Sequence, residues 1–439
     1  MDDYRLIADS VAADIAAGRL RPGDRLATQR RFARERGIAG STAARVYKEL
    51  ARRGLVVGEV GRGTFVRSAE RAPDLALIDL ERNYPEVPGQ AALLTTGLRR
   101  FQRPGALESA LRPSGPEGTP AAREAAAALL ARRGWSPEPA RLLFAGNGRQ
   151  AIAAALSALV PPGERLGVEA LTYPVIKGLA SRLGITLVPI AVDVHGLCPD
   201  ALAEAHRSAP LRAVYVQPTL QNPYSTTMPV ARRAELARVL EALGLRAVED
   251  AVWAFLPDDA PPPLAAFAPG HTILADSVSK RLSPGLTAGF AVVPEDRAAA
   301  YAAAVRSGAW LPAGFALDAV TAWIEEGVVA QVTAAKRADV TARQKILAAT
   351  LGGFRLRSDP CSYFCWWDLP GSWRAETFVA AAARRGIAVT PAAAFVVGGG
   401  GAPGAVRFGL ASPSPEKLER ALGVLATLAR GAPEDAAVD

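Results

Sequence analysis

Cysteine and histidine are scarce in this chain of 439 residues. Three cysteines are too few for a disulfide framework and fit a reducing compartment. Three histidines, far apart in the sequence, argue against a histidine-built metal site, so we expect no bound metal. The N-terminus is acidic without an apolar run, and no uncharged apolar stretch reaches about 18 residues. These absences predict a cytoplasmic protein without a signal peptide or a membrane span.

Lysine is also rare, because arginine supplies all but six of the 51 basic residues. Chemistry that needs a primary amine therefore has six candidates: Lys48, Lys177, Lys280, Lys336, Lys345 and Lys417. Half of the residues are apolar, enough for a sizeable core, and the length predicts two to four domains. The first 70 residues hold 14 basic and 9 acidic residues, which is most of the net charge of +8. Such a basic head suggests an acidic partner, either nucleic acid or a membrane surface.

The basic head has the pattern of three short helices. Apolar residues recur with a helical period from Tyr4 to Ala17. We predict Thr28 as the N-cap of a second helix, which ends at Gly37. A third helix follows, with Ser41 or Thr42 as its predicted cap. The second and third helices, joined by a tight turn, form a helix-turn-helix pattern.

The third helix and the segment after it carry the candidate DNA contacts. The N-terminal half of this helix would enter a major groove. Two β-type runs follow it and flank a glycine-arginine-glycine tip, which predicts a hairpin wing. An arginine between glycines can reach a phosphate or the minor groove. The candidates are Ser41, Thr42, Arg45, Lys48, Gly61, Arg62 and Gly63.

Residues 4–67 resemble the winged helix-turn-helix of the GntR family of bacterial regulators. The resemblance is carried by residues 18–26, Gln29-Arg30, residues 42–50 and residues 61–65. It implies that Arg30, the start of the third helix and the wing glycines touch DNA, and we add Thr28 beside Arg30. The family's Ser-Arg before the recognition helix is here Ala39-Gly40, which puts one contact in doubt. A basic head that binds another protein is the alternative.

Beyond a predicted linker at residues 68–78, apolar runs alternate with alanine-rich helical stretches. This pattern predicts an α/β domain over residues 79–432 with a buried, mostly parallel sheet. Helical stretches are predicted over residues 149–160 and 229–243. The predicted strands are residues 142–144, 187–190, 213–216, 245–248, 273–274 and 290–293.

Polar residues follow several of these strands, and in open α/β sheets ligands bind at the carboxyl ends of strands. After the first strand, Gly146-Asn147-Gly148-Arg149 opens a helix, where free N–H groups can bind an anion. Later strands are followed, in chain order, by Asn222-Pro223, by Asp250 and by Ser277-Val278-Ser279-Lys280. A phosphate cradle, an Asn-Pro, an acidic residue and a Ser-x-Ser-Lys form a specific order.

This order resembles that of the fold-type I aminotransferases, which use pyridoxal 5′-phosphate (PLP). Joined to the GntR-type head, nearly the full chain resembles the MocR subfamily of regulators. The resemblance implies a winged helix-turn-helix at residues 1–67, a fold-type I domain with a smaller C-terminal α+β part at about residues 330–432, and a homodimer. Further matching segments are residues 115–118, Arg123-Glu124, residues 169–174 and residues 406–409.

The resemblance also implies a role for each residue around the cofactor ring. Lys280 would form the internal aldimine, because only a primary amine can do so. Asp250 would pair with the pyridinium nitrogen, Tyr173 would stack on the ring, and Asn222 would donate to the phenolic oxygen. Without the resemblance, Lys280 could be a surface lysine, Asp250 a solvated strand end and Tyr173 a loop-packing residue.

At the two ends of the ligand, the resemblance implies sites for anions. Arg407 would bind the carboxylate of an amino effector through a bidentate fork, with a structural ion pair as the alternative. The residues that would hold the cofactor phosphate are Gly148, Arg149, Ser277 and Ser279.

Two positions depart from the family pattern. Thr287 stands where the family has an arginine that binds the phosphate, and Val252 stands where it has a tyrosine that contacts the phenolic oxygen. A neutral threonine cannot replace charge-assisted bonds to a dianion, so cofactor binding could be weaker by a few kcal/mol. We hypothesise that Arg149 or Arg281 compensates.

Together these features predict a DNA-binding transcription regulator whose aminotransferase-like domain senses PLP or an amino compound that reacts with it. Two alternatives stay open. One is an active aminotransferase with an appended DNA-binding domain, against which the changes at Thr287 and Val252 argue mildly. The other is a regulator that has lost PLP binding.

Overall fold

A computed structural model describes residues 4–21, 23–59, 63–66, 78–286 and 288–433. The predictions for Gly61, Arg62, Thr287 and linker residues 68–77 lie outside these ranges. The helices are α1 (Tyr4–Ala16), α2 (Gln29–Arg36), α3 (Gly40–Arg52), α4 (Gln90–Gly97), α5 (Ala106–Ala110), α6 (Pro120–Leu130), α7 (Gly148–Leu159), α8 (Pro174–Leu183), α9 (Pro199–Ser208), α10 (Val230–Leu243), α11 (Leu264–Phe267), α12 (Val278–Arg281), α13 (Glu295–Ser307), α14 (Gly314–Glu325), α15 (Val328–Leu351), α16 (Ala375–Arg384) and α17 (Pro415–Arg430). Short 3-10 segments cover Leu98–Gln102, Pro139–Arg141 and Ala392–Ala394.

The strands alternate with these helices through much of the chain. They are β1 (Val56–Glu59), β2 (Gly63–Val66), β3 (Ile78–Asp79), β4 (Leu142–Ala145), β5 (Arg165–Glu169), β6 (Thr186–Ile190), β7 (Val192–Asp193), β8 (Gly196–Leu197), β9 (Ala213–Val216), β10 (Arg246–Asp250), β11 (Thr272–Ser277), β12 (Gly289–Val292), β13 (Arg355–Arg357), β14 (Phe364–Asp368), β15 (Ile387–Ala388), β16 (Thr390–Pro391) and β17 (Ala405–Gly409). Among the helices of the described ranges, none combines the length and apolar character that crossing a membrane requires.

The chain divides into two compact units. The first contains the described residues of Met1–Asn83, Lys345–Arg357 and Phe364–Asp439. The second contains Tyr84–Gln344, except residue 287, and Ser358–Tyr363. The N-terminal head thus clusters with the C-terminal part of the chain, and the central residues form a body of their own.

The head of the first unit is a three-helix core with a two-stranded hairpin. Thr28 caps α2 as predicted, because its Oγ1 accepts a hydrogen bond from the Arg31 N–H, and α2 ends at Gly37 with φ of 64°. The predicted cap of the third helix is wrong. Helix α3 begins at Gly40 with Ala39 as its N-cap, and no side chain closes that end.

The C-terminal part of the first unit is a four-stranded sheet in the order β13-β14-β17-β16, accompanied by α16 and α17. Alternating residues of β14 and β17 point to its core, where Trp367, Phe378 and Phe408 pack edge to face. Leu347 and Leu351, at the end of α15, join the same core.

The second unit is built on a seven-stranded sheet in the order β4-β12-β11-β10-β9-β5-β6. Strand β12 runs antiparallel to β11 and β4, and the other pairs are parallel, which confirms a mostly parallel sheet. Every residue of β9 and β11 is buried, as expected for a sheet covered on both faces. The predicted strands missed β5, because Arg165, Gly167 and Glu169 interrupt its apolar run.

Candidate functional site

Asp250 is the buried acid at the carboxyl end of β10, and its side chain is held by three donors. Its Oδ2 accepts hydrogen bonds from the Tyr215 hydroxyl at 2.7 Å and from Gln217 Nε2 at 2.8 Å. Its Oδ1 accepts from the Val252 N–H at 3.1 Å. Burial raises the pKa of Asp250, and these hydrogen bonds oppose that effect. The three donors favour the ionised carboxylate, which burial disfavours, and a cationic group beside it would favour the ionised form further.

Asn222 lies in the loop after β9, and the backbone on both sides of it is strained. Leu220 and Ser225 have positive φ values of 49° and 60°, which residues other than glycine rarely adopt. The Asn222 N–H donates to Gln217 Oε1 at 3.1 Å, so the loop is tied to the residue that also holds Asp250. The buried Asn222 Oδ1 has no hydrogen-bond partner among the described residues. Such an orphaned polar atom indicates a place for a ligand.

Lys280 follows β11 on the single turn of α12. Its Nζ lies 4.5 Å from the ring centre of Tyr84 and 5.2 Å from that of Trp253, so two aromatic rings flank the amine. Its carbonyl oxygen accepts a hydrogen bond from Lys336 Nζ at 3.0 Å. The side chain is half-buried, unlike that of a lysine extending freely into water.

Tyr173 lies in the region of the second unit that contains Arg149, Asp250 and Tyr84. It stands at the N-terminal end of α8. Burial raises the pKa of Tyr173, the neighbouring Arg149 guanidinium lowers it, and the charges of Asp250 and Tyr84 act on it as well. Because Tyr84 also contacts the Lys280 amine, these residues share one region of the second unit.

The N-terminus of α7 forms a narrow cradle. A Cβ on Gly148 would lie 2.8 Å from Ser277 Oγ, and a Cβ on Gly289 would lie 2.3 Å from the carbonyl carbon and oxygen of Asn147. Glycine is therefore required where β12 and the end of β11 approach the helix. Free N–H groups of the first turn, the helix dipole and the Ser277 hydroxyl meet there, which suits an anion such as a phosphate.

Ser279 and Arg281 lie on either side of Lys280. The Ser279 N–H donates to Ser277 Oγ at 3.3 Å. Arg281 donates to Asp276 Oδ2 at 2.8 Å in a buried ion pair, and its guanidinium covers the Phe255 ring. This pairing disfavours Arg281 as the substitute for the phosphate arginine and leaves Arg149 as the compensating candidate. Val252 offers an aliphatic side chain, so it brings no hydroxyl to this region.

Glu169 is a second buried acid of the second unit, at the end of β5. Its Oε2 accepts from Gln221 Nε2 at 3.2 Å, and the same amide donates to the Leu171 carbonyl at 2.7 Å. Burial raises the pKa of Glu169 to about 8, and the charge of Asp250 adds to the rise. At pH 7 the Glu169 side chain is therefore neutral. In this form it holds the loop that contains Asn222, through its hydrogen bond with Gln221.

Sequence reasoning missed several residues of this site. Tyr215 and Gln217 are two positions apart at the end of β9, so strand alternation could have placed both beside Asp250. Tyr84, Trp253 and Lys336 carry no local pattern that connects them to Lys280, because they come from three distant parts of the chain.

Arg407 belongs to the first unit, on β17. Its Nη1 donates to the Glu81 carbonyl at 2.9 Å, and its guanidinium lies 5.4 Å from the ring centre of Phe395. The side chain is buried. Arg407 is thus held by a backbone carbonyl and by an aromatic ring.

In the head, α3 has one buried face and one exposed face. Ala43, Val46, Tyr47 and Leu50 are buried against α1 and α2. Half-buried Thr42 stands between the two faces. Within the described residues, Arg30, Arg45 and Lys48 take part in no ion pair, so their charges are available to an anionic partner. The exposed residues of the predicted DNA surface are Thr28, Arg30, Ser41, Arg45 and Lys48.

No group of three or more histidine, cysteine or acidic side chains in the described part of the chain is placed to hold a metal ion.

Comparison with known proteins adds two family matches. A model described as Aminotransferase class I and II matches residues 76–425, and a model described as Bacterial regulatory proteins, gntR family, matches residues 3–66.

Similar proteins cover most of the chain. The uncharacterized HTH-type transcriptional regulator YdeF of Bacillus subtilis is 29% identical, over 97% of this chain and 94% of its own. The HTH-type pyridoxine biosynthesis transcriptional regulator PdxR of Corynebacterium glutamicum is 27% identical, over 94% and 92%. The probable rhizopine catabolism regulatory protein MocR of Rhizobium meliloti is 25% identical, over 79% and 76%. The structure of a multiple substrate aminotransferase from Thermococcus profundus matches with a TM-score of 0.74 at 20% identity, covering 83% of this chain and 95% of that one, which shows a shared fold.

Proposed function

The chain belongs to the aminotransferase class I and II family and carries an N-terminal domain of the gntR family, as MocR-type transcription regulators do. From this domain combination we propose that the aminotransferase-like domain binds PLP and thereby regulates DNA binding by the N-terminal domain. The signal sensed is PLP itself or an amino compound that reacts with it. The name of the relative PdxR, a regulator of pyridoxine biosynthesis, supports a vitamin B6-type ligand.

One observation carries the PLP proposal. The buried carboxylate of Asp250, held by three donors, lies in the same region as a half-buried lysine amine flanked by two rings. Two further features fit PLP. The Asn222 Oδ1, which has no hydrogen-bond partner among the described residues, suits a ring with polar substituents, and the cradle at Gly148 suits a phosphate group. When bound, PLP supplies an aldehyde that condenses with primary amines and a ring that withdraws electrons.

The residues around the ring have distinct tasks in this proposal. Lys280 supplies the primary amine, and the Lys336 hydrogen bond to its carbonyl fixes its backbone. Asp250 holds a proton on the pyridine nitrogen by stabilising the cation. Tyr173 covers a ring face, and the Asn222 amide, which carries both donors and an acceptor, meets the phenolic oxygen after a rotation of its group.

At the phosphate end, the N–H groups of Gly148 and Arg149 and the hydroxyls of Ser277 and Ser279 would bind the dianion. The Arg149 guanidinium supplies a positive charge near it. With a neutral Thr287 in the chain, we expect weaker phosphate binding than in family members with an arginine at that position.

The head would bind operator DNA through the exposed face of α3 and through α2. Arg45 and Lys48 would contact base edges and phosphates at the major groove, and Arg30 would contact the DNA backbone. The wing residues Gly61, Arg62 and Gly63 would contact adjacent phosphates. Thr28, Ser41 and Thr42 add hydroxyl contacts. We propose a homodimer as the DNA-binding form and Arg407 as the residue that binds the carboxylate of an amino effector.

The test is the visible absorption spectrum of the purified chain with and without added PLP. We expect the band of the bound cofactor in the unmodified chain and its loss in Lys280→Ala. Lys177→Ala is the matched control, since Lys177 is another half-buried lysine of the same unit, and it should keep the band. No band in the unmodified chain, or an unchanged band in Lys280→Ala, would overturn the PLP proposal.

A steady-state transamination assay with a panel of amino donors separates a sensor from an enzyme. The absence of a hydroxyl at Val252 favours the sensor, so we expect little turnover. Robust turnover would assign the domain to catalysis instead.

A further inference from the structure

The β1–β2 hairpin of the head is buried on both faces. The hydrophobic core of the head covers only one of them. Val56 pairs with Val66, and both belong to the core formed with α1, α2 and α3. Val57 pairs with Phe65 in the next register position. Side chains alternate between the faces of a hairpin, so Val57 and Phe65 point away from that core. Yet their exposed fractions are only 7% and 0%.

The C-terminal part of the first unit covers this second face. The Arg374 guanidinium lies 4.2 Å from the ring centre of Phe65, a cation–π distance. Arg374 stands at the N-terminal end of α16, whose inner residues pack in the core of the C-terminal sheet. Phe65 therefore contacts a side chain that is anchored to the C-terminal fold.

Two further contacts surround this stacked pair. The Ala402 N–H donates to the Gly58 carbonyl at 2.8 Å, on strand β1. Gly23, whose segment pairs with β2, lies beside Thr377 of α16, where an added Cβ would be at ordinary van der Waals distance from the Thr377 Oγ1 (3.5 Å) and Cα (3.6 Å). Gly23 also has a φ of 88°, a conformation that favours glycine. Contacts thus reach the hairpin from α16 and from the segment before β17.

The surface used for this docking is separate from the surface predicted to meet DNA. Ser41, Arg45 and Lys48 stay exposed on α3 while Val57 and Phe65 are covered. Helix α3 therefore stays accessible to DNA while the hairpin is covered. This indicates that the contact orients the head and does not block DNA binding.

We propose that the second face of the hairpin (Val57 and Phe65), the Gly58 carbonyl, and their partners Arg374, Thr377 and Ala402 form a wing joint that fixes the direction in which the head presents α3. Through this joint, a change in the C-terminal part alters the presentation of the head without any change within the head. The occupant of the hairpin face is the C-terminal part of the same chain. The proposal needs no PLP, so it stands or fails separately from the cofactor site.

Hydrogen exchange of the full chain, followed by mass spectrometry, tests the joint. We expect Arg374→Gln to raise exchange roughly tenfold in peptides from residues 55–59 and 63–66, because the cover of Phe65 loosens. Peptides from α1 and α3 should keep the exchange rate of the unmodified chain. Arg420→Gln, a change at an exposed arginine of α17, is the control and should leave every head peptide unchanged.

Phe65→Leu provides an independent variant from the head side, because it keeps an apolar side chain and removes the ring. If the two residues act as a pair, the double variant Phe65→Leu with Arg374→Gln should exchange no faster than the faster single variant. Additive effects, or no effect of Arg374→Gln, would overturn the joint. So would hairpin protection that disappears on hundredfold dilution, because a partner's C-terminal part would then supply the cover.

Discussion

The side-chain amine of Lys336 donates a hydrogen bond to the carbonyl oxygen of Lys280 across 3.0 Å. It donates a second one to the Leu282 carbonyl at 2.7 Å, which also accepts from Gln90 Nε2 at 3.1 Å. Lys336 has an exposed fraction of 0%, and burial lowers its pKa to about 7. A buried amine of α15 thus satisfies the end of the short helix that carries the candidate cofactor lysine.

Lys336→Met should destabilise the second unit. Methionine has a similar length but no donor, so the Lys280 and Leu282 carbonyls each lose one hydrogen bond at a total cost of about 1–3 kcal/mol, while the Leu282 carbonyl keeps the one from Gln90. Urea denaturation measures this loss, and a PLP titration should show weaker binding as well, because the backbone of Lys280 is less fixed. Lys345→Met, on the exposed side of the same helix, is the control. Equal stability of the two variants would contradict the role of the amine.

Because of Glu169, we expect the free energy of unfolding to fall as the pH rises from about 5 to about 8. In the unfolded chain its carboxyl ionises near its ordinary pKa of 4.5, whereas burial raises the pKa in the folded chain to about 8. The folded state therefore binds more protons in this window, and the free energy of unfolding decreases with increasing pH by up to about 1.4 kcal/mol per unit.

Glu169→Gln should remove this pH dependence, because glutamine stays neutral and has the same shape. Urea denaturation at several pH values between 5 and 8 compares the slopes. Glu164→Gln, one residue before the same strand, is the control, since Arg212 holds the pKa of that half-buried carboxyl below its ordinary value. A slope in Glu169→Gln as steep as that of the unmodified chain would show that another group titrates.

Asp250→Asn should weaken PLP binding strongly. The amide cannot stabilise a cationic ring nitrogen, and we expect about a hundredfold loss of affinity. Tyr215→Phe should lower the affinity for PLP about tenfold, because Asp250 keeps two of its three hydrogen-bond donors. An absorbance titration of PLP into each variant gives the ranking. The reverse order would place the ring nitrogen away from Asp250.

Gly289→Ala should disrupt the phosphate cradle. A Cβ there would lie 2.3 Å from backbone atoms of Asn147 and 2.9 Å from the Gly148 nitrogen, and backbone cannot move aside cheaply. We expect a loss of about 2–4 kcal/mol in the free energy of unfolding, together with weaker binding of inorganic phosphate or PLP. Gly285→Ala is the control, because its Cβ would only approach Ser283 Oγ at 3.8 Å.

Arg45→Ala and Lys48→Ala should each weaken DNA binding and reduce its salt dependence. Every phosphate contact that is lost lowers the slope of log K against log salt by about 0.9. Fluorescence anisotropy with a duplex of arbitrary sequence at several salt concentrations measures the slope. Lys417→Ala, an exposed lysine at the start of α17, should leave the slope unchanged. The same slope in all three variants would move the DNA surface away from α3.

The elements with strong local patterns could be predicted from the sequence. Continuous apolar runs marked most strands of the central sheet, and Thr28 and Gly37 marked both ends of α2. Strand β5 was missed because Arg165 and Glu169 interrupt its apolar run, and the hydrogen bond that the Glu169 side chain accepts from Gln221 forms only in the folded protein. The start of α3 was misplaced because Ala39 has no capping side chain, whereas serine and threonine follow closely.

The candidate site could be predicted only where its residues follow strands. Asp250 and Lys280 stand at strand ends, so their neighbourhood follows from the topology of a parallel sheet. The surroundings of Lys280 depend on Tyr84, Trp253 and Lys336, which meet only through tertiary packing. The second face of the hairpin was equally hidden, because a buried Phe65 follows from the presence of Arg374 more than 300 residues later.

The two-faced hairpin has a consequence for building chimeras. A head taken from a related regulator would bring its own recognition helix, but it would dock only if its hairpin presented an aromatic residue at the position of Phe65. Exchanging DNA specificity between such proteins therefore means exchanging the α3 surface alone and leaving the outward hairpin residues of the host in place.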